Sequence, residues 1–133
     1  MKNDRRSTKR FLKTCLKRLN LNQWRVRLQI GGDHPELLGL LTYDIETWRA
    51  TITVYADKHN KLADLQDTIA HECIELAMAL AHDAIRPLAE EAVHEYIWQL
   101  MHQAINPLAE VLARAVHGEL TRQVPLGRTK GKK

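Results

Sequence analysis

Apolar and polar positions along this chain change period twice. Phe11, Leu12, Cys15, Leu16 and Leu19 share one helical face, while Lys9, Arg10, Lys13, Lys17 and Arg18 fill the other. The spacing predicts a helix capped near Ser7 or Thr8 and ended by Asn20 and Asn22. Trp24 to Ile30 then alternates with period two, the mark of a half-buried strand. Gly31-Gly32-Asp33-His34-Pro35 reads as a turn, and a second strand covers about Leu38 to Tyr43. A third runs from Trp48 to Tyr55, where Trp48, Ala50, Ile52 and Val54 alternate with Arg49, Thr51, Thr53 and Tyr55. Together these segments predict a small antiparallel sheet of about three strands.

Beyond Asn60 the apolar spacing becomes helical again. Leu62, Leu65, Ile69, Cys73, Leu76 and Leu80 mark the buried stripe of a helix that ends near His82 or Asp83. Pro87 suits the first turn of the next helix, which reaches about Ile105. Asn106-Pro107 breaks or restarts it, and a last helical piece reaches His117 with Gly118 as its stop. The expected fold class is α+β, with an N-terminal helix, the small sheet and two long helices. Residues 1–120 form one domain, and 121–133, with Pro125, two glycines and five basic residues, form a flexible basic tail.

Composition narrows the classes. At 44% hydrophobic residues the chain has material for a modest core, which excludes a disordered protein. Its apolar runs fall far short of the roughly 18 residues that span a bilayer, and Met1 to Arg6 lacks an apolar signal core. A cytoplasmic protein without membrane contact is expected. Cys15 and Cys73 sit in apolar helical patterns and read as two buried thiols. The net charge of +4 is unevenly spread: residues 1–18 and 119–133 are basic, and the body between them is acidic. Basic ends can contact phosphate backbones weakly, although no aromatic residue interleaves with the C-terminal lysines to stack on bases.

The chemistry is concentrated at His71-Glu72-Cys73-Ile74-Glu75, one residue short of the helical His-Glu-x-x-His motif of zinc metalloproteases. On a helix, His71 and Glu75 lie one turn apart on one face and can hold one ion, while Glu72 flanks it. In such sites the flanking glutamate takes a proton from a water acidified by the metal and passes it to the leaving amine. The next helix carries Glu91, His94, Glu95, Trp98 and His102 on a shared face. Nineteen residues separate Glu75 from Glu95, and Ile97 and Leu100 follow two and five positions on.

That pattern resembles the thermolysin-like gluzincins, and more closely their minimal relatives encoded by phages and prophages. In that family His-Glu-x-x-His is followed after about nineteen residues by a ligand glutamate on the next helix. The resemblance covers roughly residues 8 to 105 and implies a zincin-like fold with zinc-dependent peptide hydrolysis. It implies His71 as metal ligand, Glu72 as general base and Glu95 as third ligand. The strand Arg49 to Tyr55 would border the site and pair with an extended peptide. Glu75 stands where the family has histidine. A His/Glu/Glu set is harder and more anionic, so it accepts zinc but shifts preference toward manganese, iron or magnesium and leaves bound water less acidic. His94 offers another way to complete the set, with His71 and Glu75 or mixed with Glu95.

Plainer readings stand beside these. His34, His59 and His117 fall in turns or helix ends, His82 and His102 suit surface positions, and Met78 and Trp98 suit the core. Glu91 and His94 form the Glu-x-x-His of di-iron bundles, but the strand-rich stretch 24–55 leaves too few helices for one. Three functions remain. The chain is a metallopeptidase acting on a peptide or protein, an inactive zincin-fold module that binds a partner or a virion, or a nucleic-acid-associated protein using its basic ends.

Overall fold

The computed structural model describes residues 2–55, 62–85, 87 and 91–131, with the side chains of 2–4, 62–63, 85, 94 and 123–131 outside the description. The order is α1 (Lys2–Arg18), β1 (Arg25–Ile30), β2 (Gly39–Asp44), β3 (Arg49–Val54), α2 (Leu62–Ile85) and α3 (Glu91–Gly131). The α+β class follows: a helix, a three-stranded sheet, then long helices. No helix among the described residues is long and apolar enough to cross a membrane.

Helix α1 buries Phe11, Leu12 and Cys15, the face its periodicity marks. It begins well before Ser7, and Thr8, expected as a cap, is instead buried in the core. Its end is a Schellman turn. Asn20 takes a positive φ of 57°, the Asn20 N–H donates to Lys17 and the Leu21 N–H donates to Leu16 at 2.9 Å. Leu21 folds back beside Leu16, as that motif requires.

The sheet order is β1-β3-β2, with β1 parallel to β3 and β2 antiparallel to it. The sheet is therefore mixed, not wholly antiparallel. After β1 the chain leaves through Gly31 and Gly32, both at positive φ, and places β2 on the far edge. The tight β2–β3 turn then returns β3 into the gap beside β1. Alternation predicts which side chains face inward, and Ala50, Ile52 and Val54 are buried accordingly. It carries no information on which strand lies next to which.

The main core joins Phe11 and Cys15 of α1, Ile52 and Val54 of β3, Ile69 and Cys73 of α2, and Ile105 and Val116 of α3. Both cysteines are free and buried, as their apolar pattern predicts. Contact with Cys15 and burial together push the Cys73 thiol well above its usual range. A smaller cluster of Leu21, Trp24, Ala50 and Leu76 closes the other end, where Trp24 meets Trp48 edge-on at 5.1 Å.

Helix α3 differs from its sequence pattern. It continues through Asn106-Pro107 and Gly118 to Gly131, through the stretch read as a flexible tail. An interior proline costs a helix about 3 kcal/mol. Here Ile105, Ala109, Leu112 and Val116 are buried on either side of Pro107, so tertiary packing holds both halves in line. Pro87 lies ahead of α3, not in its first turn. An ion pair, Arg18 Nε to Glu119 Oε2 at 2.9 Å, links α1 to α3 at the surface.

Candidate metal centre

Helix α2 presents His71, Glu72 and Glu75 together. One ligand atom from each lies within 4.8 Å of the others. His71 Nδ1 is 3.4 Å from Glu72 Oε1 and 3.9 Å from Glu75 Oε2. The i to i+4 spacing of His71 and Glu75 accounts for their pairing. Glu72 joins them because its side chain turns along the helix surface instead of outward. It is only 5% exposed, an unusual place for a carboxylate without a cation nearby.

Gly39 explains part of that burial. Edge strand β2 begins against α2, and a Cβ at residue 39 would sit 2.6 Å from Thr68 Cγ2 and 3.2 Å from Glu72 Oε1. Only glycine permits so close an approach. The same junction forms one wall of a cleft of about 330 Å³, lined by Leu37, Leu38, Gly39, His71, Glu72 and Asn106 among others. His34 shapes the approach: its Nδ1 accepts the N–H groups of Glu36 at 3.1 Å and Leu37 at 3.0 Å. Read from sequence as a histidine without a role, it holds the cleft's rim.

Electrostatics show the strain of the cluster. Burial, then the charge of Glu72, pushes the Glu75 carboxyl up to about 7, against the opposing pull of His71. The hydrogen bond to Glu72 raises the His71 imidazole, with burial opposing and both carboxylates assisting. The Glu75 carboxyl and the His71 imidazole thus both hold their protons more tightly than usual. A bound divalent cation would neutralise this crowding, so the donor set fits a metal of the zinc, manganese or iron type.

Across the seam α3 sets an imidazole beside the cluster, although none of its described residues joins the group of His71, Glu72 and Glu75. His102 packs edge-on against His71, with ring centroids 5.9 Å apart. Burial, then the charge of His71, lowers the His102 imidazole against the opposing charge of Glu72, which favours its neutral form. Trp98 lies 4.8 Å from His102 and 4.3 Å from His82, so an aromatic row runs along the α2–α3 seam. That row sets the register. Glu95 is seven residues before His102, about 10 Å back along the helix axis, and is exposed outside the group. The side chain of His94 lies outside the described residues, as does His59. His102 carries the same i to i+4 relation to Trp98 as the other face residues, the one signal that marks it in sequence.

The bordering strand also differs. Strand β3, expected to line the site, is central and paired on both sides. The strand that borders α2 from the edge of the sheet, unpaired on its outer side among the described residues, is β2. Away from this site, a groove of about 700 Å³ lies between α1 and β1, with Arg5, Lys9, Lys13 and Arg27 on its walls. Comparison with known protein families, characterised proteins and solved structures finds no match to this chain.

Proposed function

We propose that this chain is a metal-dependent peptide hydrolase, with His71, Glu75 and His102 as metal ligands and Glu72 as proton carrier. The observation that carries the reading is the crowding of His71, Glu72 and Glu75 within 4.8 Å beside a cleft. Were His102 to swing in from its ring contact with His71, the donor set would be two imidazoles and one carboxylate, the composition of hydrolytic zinc sites. A divalent cation bound there would acidify a water and polarise the scissile carbonyl. Glu72 is buried, shares the cleft with His71 and lies within reach of a proton released there. It would hold that proton and return it to the leaving amine.

The free edge of β2 gives the substrate its place. An extended peptide can add to that edge through backbone hydrogen bonds, and exposed Leu37, Leu38 and Leu40 offer apolar contact for its side chains. Such a groove favours stretched, partly apolar peptide over a folded surface.

The test is elemental analysis of purified protein beside His71→Ala, followed by peptide cleavage with wild type and Glu72→Gln. About one zinc, manganese or iron per chain, absent from His71→Ala, is expected. Glu72→Gln should keep its metal and lose turnover by about 100-fold or more. No metal in the wild type after zinc is added back would sink the reading and leave the fold as a binding module.

The basic groove between α1 and β1 supports a second reading, contact with nucleic acid. Binding there would weaken steeply with salt, with a log–log slope of about −0.9 per phosphate neutralised. Reversal of charge at Lys9 and Lys13 would flatten that slope; an unchanged slope refutes it.

A further inference from the structure

Helix α3 has two apolar faces. One, with Ile105, Ala109, Leu112 and Val116, packs into the core. The other faces solvent. Five of the nine exposed large hydrophobic residues among the described ones lie on it: Val93, Tyr96, Leu100, Leu108 and Val111. Tyr96 is 62% exposed and Val111 66%, so none of the described residues covers them. The stripe extends over about 27 Å of helix. A face this long and apolar is not the scattered exposure normal for a monomer.

We propose that this face is a homodimer interface, in which α3 of a second copy lies antiparallel against it. The pattern itself selects that occupant. Val93, Leu100 and Pro107 recur every seven residues, as do Ile97, Ala104 and Val111, which makes the two seam positions of a coiled coil. Laid antiparallel about a twofold axis, Val93 meets Val111 of the other copy, Ile97 meets Pro107, and Leu100 meets Ala104. Each contact occurs twice, as an isologous interface requires. At the centre large side chains face small ones, so the helices close without a void. A parallel pairing would set Ala104 on Ala104 and Pro107 on Pro107, leaving a hollow midway.

Charge points the same way. Between Val93 and Val111 no charged residue falls on the seam and Gln103 beside it is neutral, while Glu110 and Arg114 stand at its C-terminal end. The centre of the seam therefore sets no like charges against each other when two copies pair. With Tyr96 and Leu108 flanking the seam, each copy contributes several hundred Å² of apolar surface, on the order of the roughly 800 Å² per partner of a stable complex. His102 lies on the opposite side of α3, so pairing leaves the His71 cleft open, and the inference stands apart from the hydrolase reading.

Sedimentation of the full chain across a concentration series tests the proposal, with Leu100→Glu and Val111→Glu alongside. A dimer is expected whose dissociation constant rises about 100-fold or more in either variant, with circular dichroism unchanged because both positions are exposed. Orientation is read by mixing Val93→Cys chains with Val111→Cys chains under mild oxidation. The native cysteines are buried and do not compete. Cross-linking only in the mixture is expected. A monomer at every concentration, a dimer indifferent to both glutamates, or cross-linking of Val93→Cys chains alone would each overturn it, as would a monomer whose stripe binds lipid vesicles.

Discussion

A single methyl group at Gly39 would force apart the edge strand and the motif helix. In Gly39→Ala the new carbon meets Thr68 Cγ2 at 2.6 Å, Thr53 O at 3.2 Å and Glu72 Oε1 at 3.2 Å. Carbon atoms rest at about 3.5–4.0 Å, so Thr68 must retreat by about 1 Å. It has little freedom, because Thr68 is buried and its hydroxyl donates to the Asp64 carbonyl at 3.2 Å. The Thr53 oxygen belongs to the central strand and cannot yield without disturbing both neighbours. Overpacking of this kind costs about 1–3 kcal/mol. For a chain of this length each kcal/mol moves the midpoint by about 3–5 °C, so Tm should fall by about 3–15 °C. Urea unfolding gives the free energy directly. The double variant Gly39→Ala/Thr68→Ser removes the clashing methyl while keeping the hydroxyl. It should recover most of the loss, with a coupling of about 1 kcal/mol or more. A loss under about 0.5 kcal/mol in the single variant, or no recovery in the double, would refute the close approach of β2 to α2.

Two other outcomes follow from the same geometry. In metal-free protein the folded state binds the Glu75 proton more tightly than the unfolded chain, because its carboxyl is raised from 4.5 to about 7. Stability should therefore decline as pH rises through that window, and His71, also raised, acts in the same direction. Melting in the presence of a chelator should show this slope flattened in Glu75→Gln; parallel curves for the two proteins would contradict it. At the end of α1, Asn20→Gly should leave stability within a few tenths of a kcal/mol, while Asn20→Ala loses about 1 kcal/mol, because alanine resists the positive φ that Asn20 holds. Equal effects of the two substitutions in thermal melts would argue against the Schellman turn.

Local signals in the sequence were enough for much of this protein. Alternation over 25–30 and 49–54 assigns those strands and their inward residues, because the side-chain period of a strand is a property of its own backbone. Helical periodicity assigns α2 and puts His71 and Glu75 on one side of it, since residues four apart meet on any helix. The α+β class and the two buried thiols follow from the same patterns.

Tertiary structure alone decided the rest. The parallel pairing of β1 with β3 depends on where the chain returns after Gly31-Gly32, and every strand order is compatible with the same alternation. Pro107 stays inside α3 because residues on both sides of it are buried, which no propensity window registers. The α3 ring that meets His71 is that of His102, with Glu95 about two turns away, and sequence leaves this open because sliding one helix along another by two turns keeps every side chain on its own face. Only the packing of Trp98 between His82 and His102 selects one of those positions, and with it which α3 side chain meets the His71 ring.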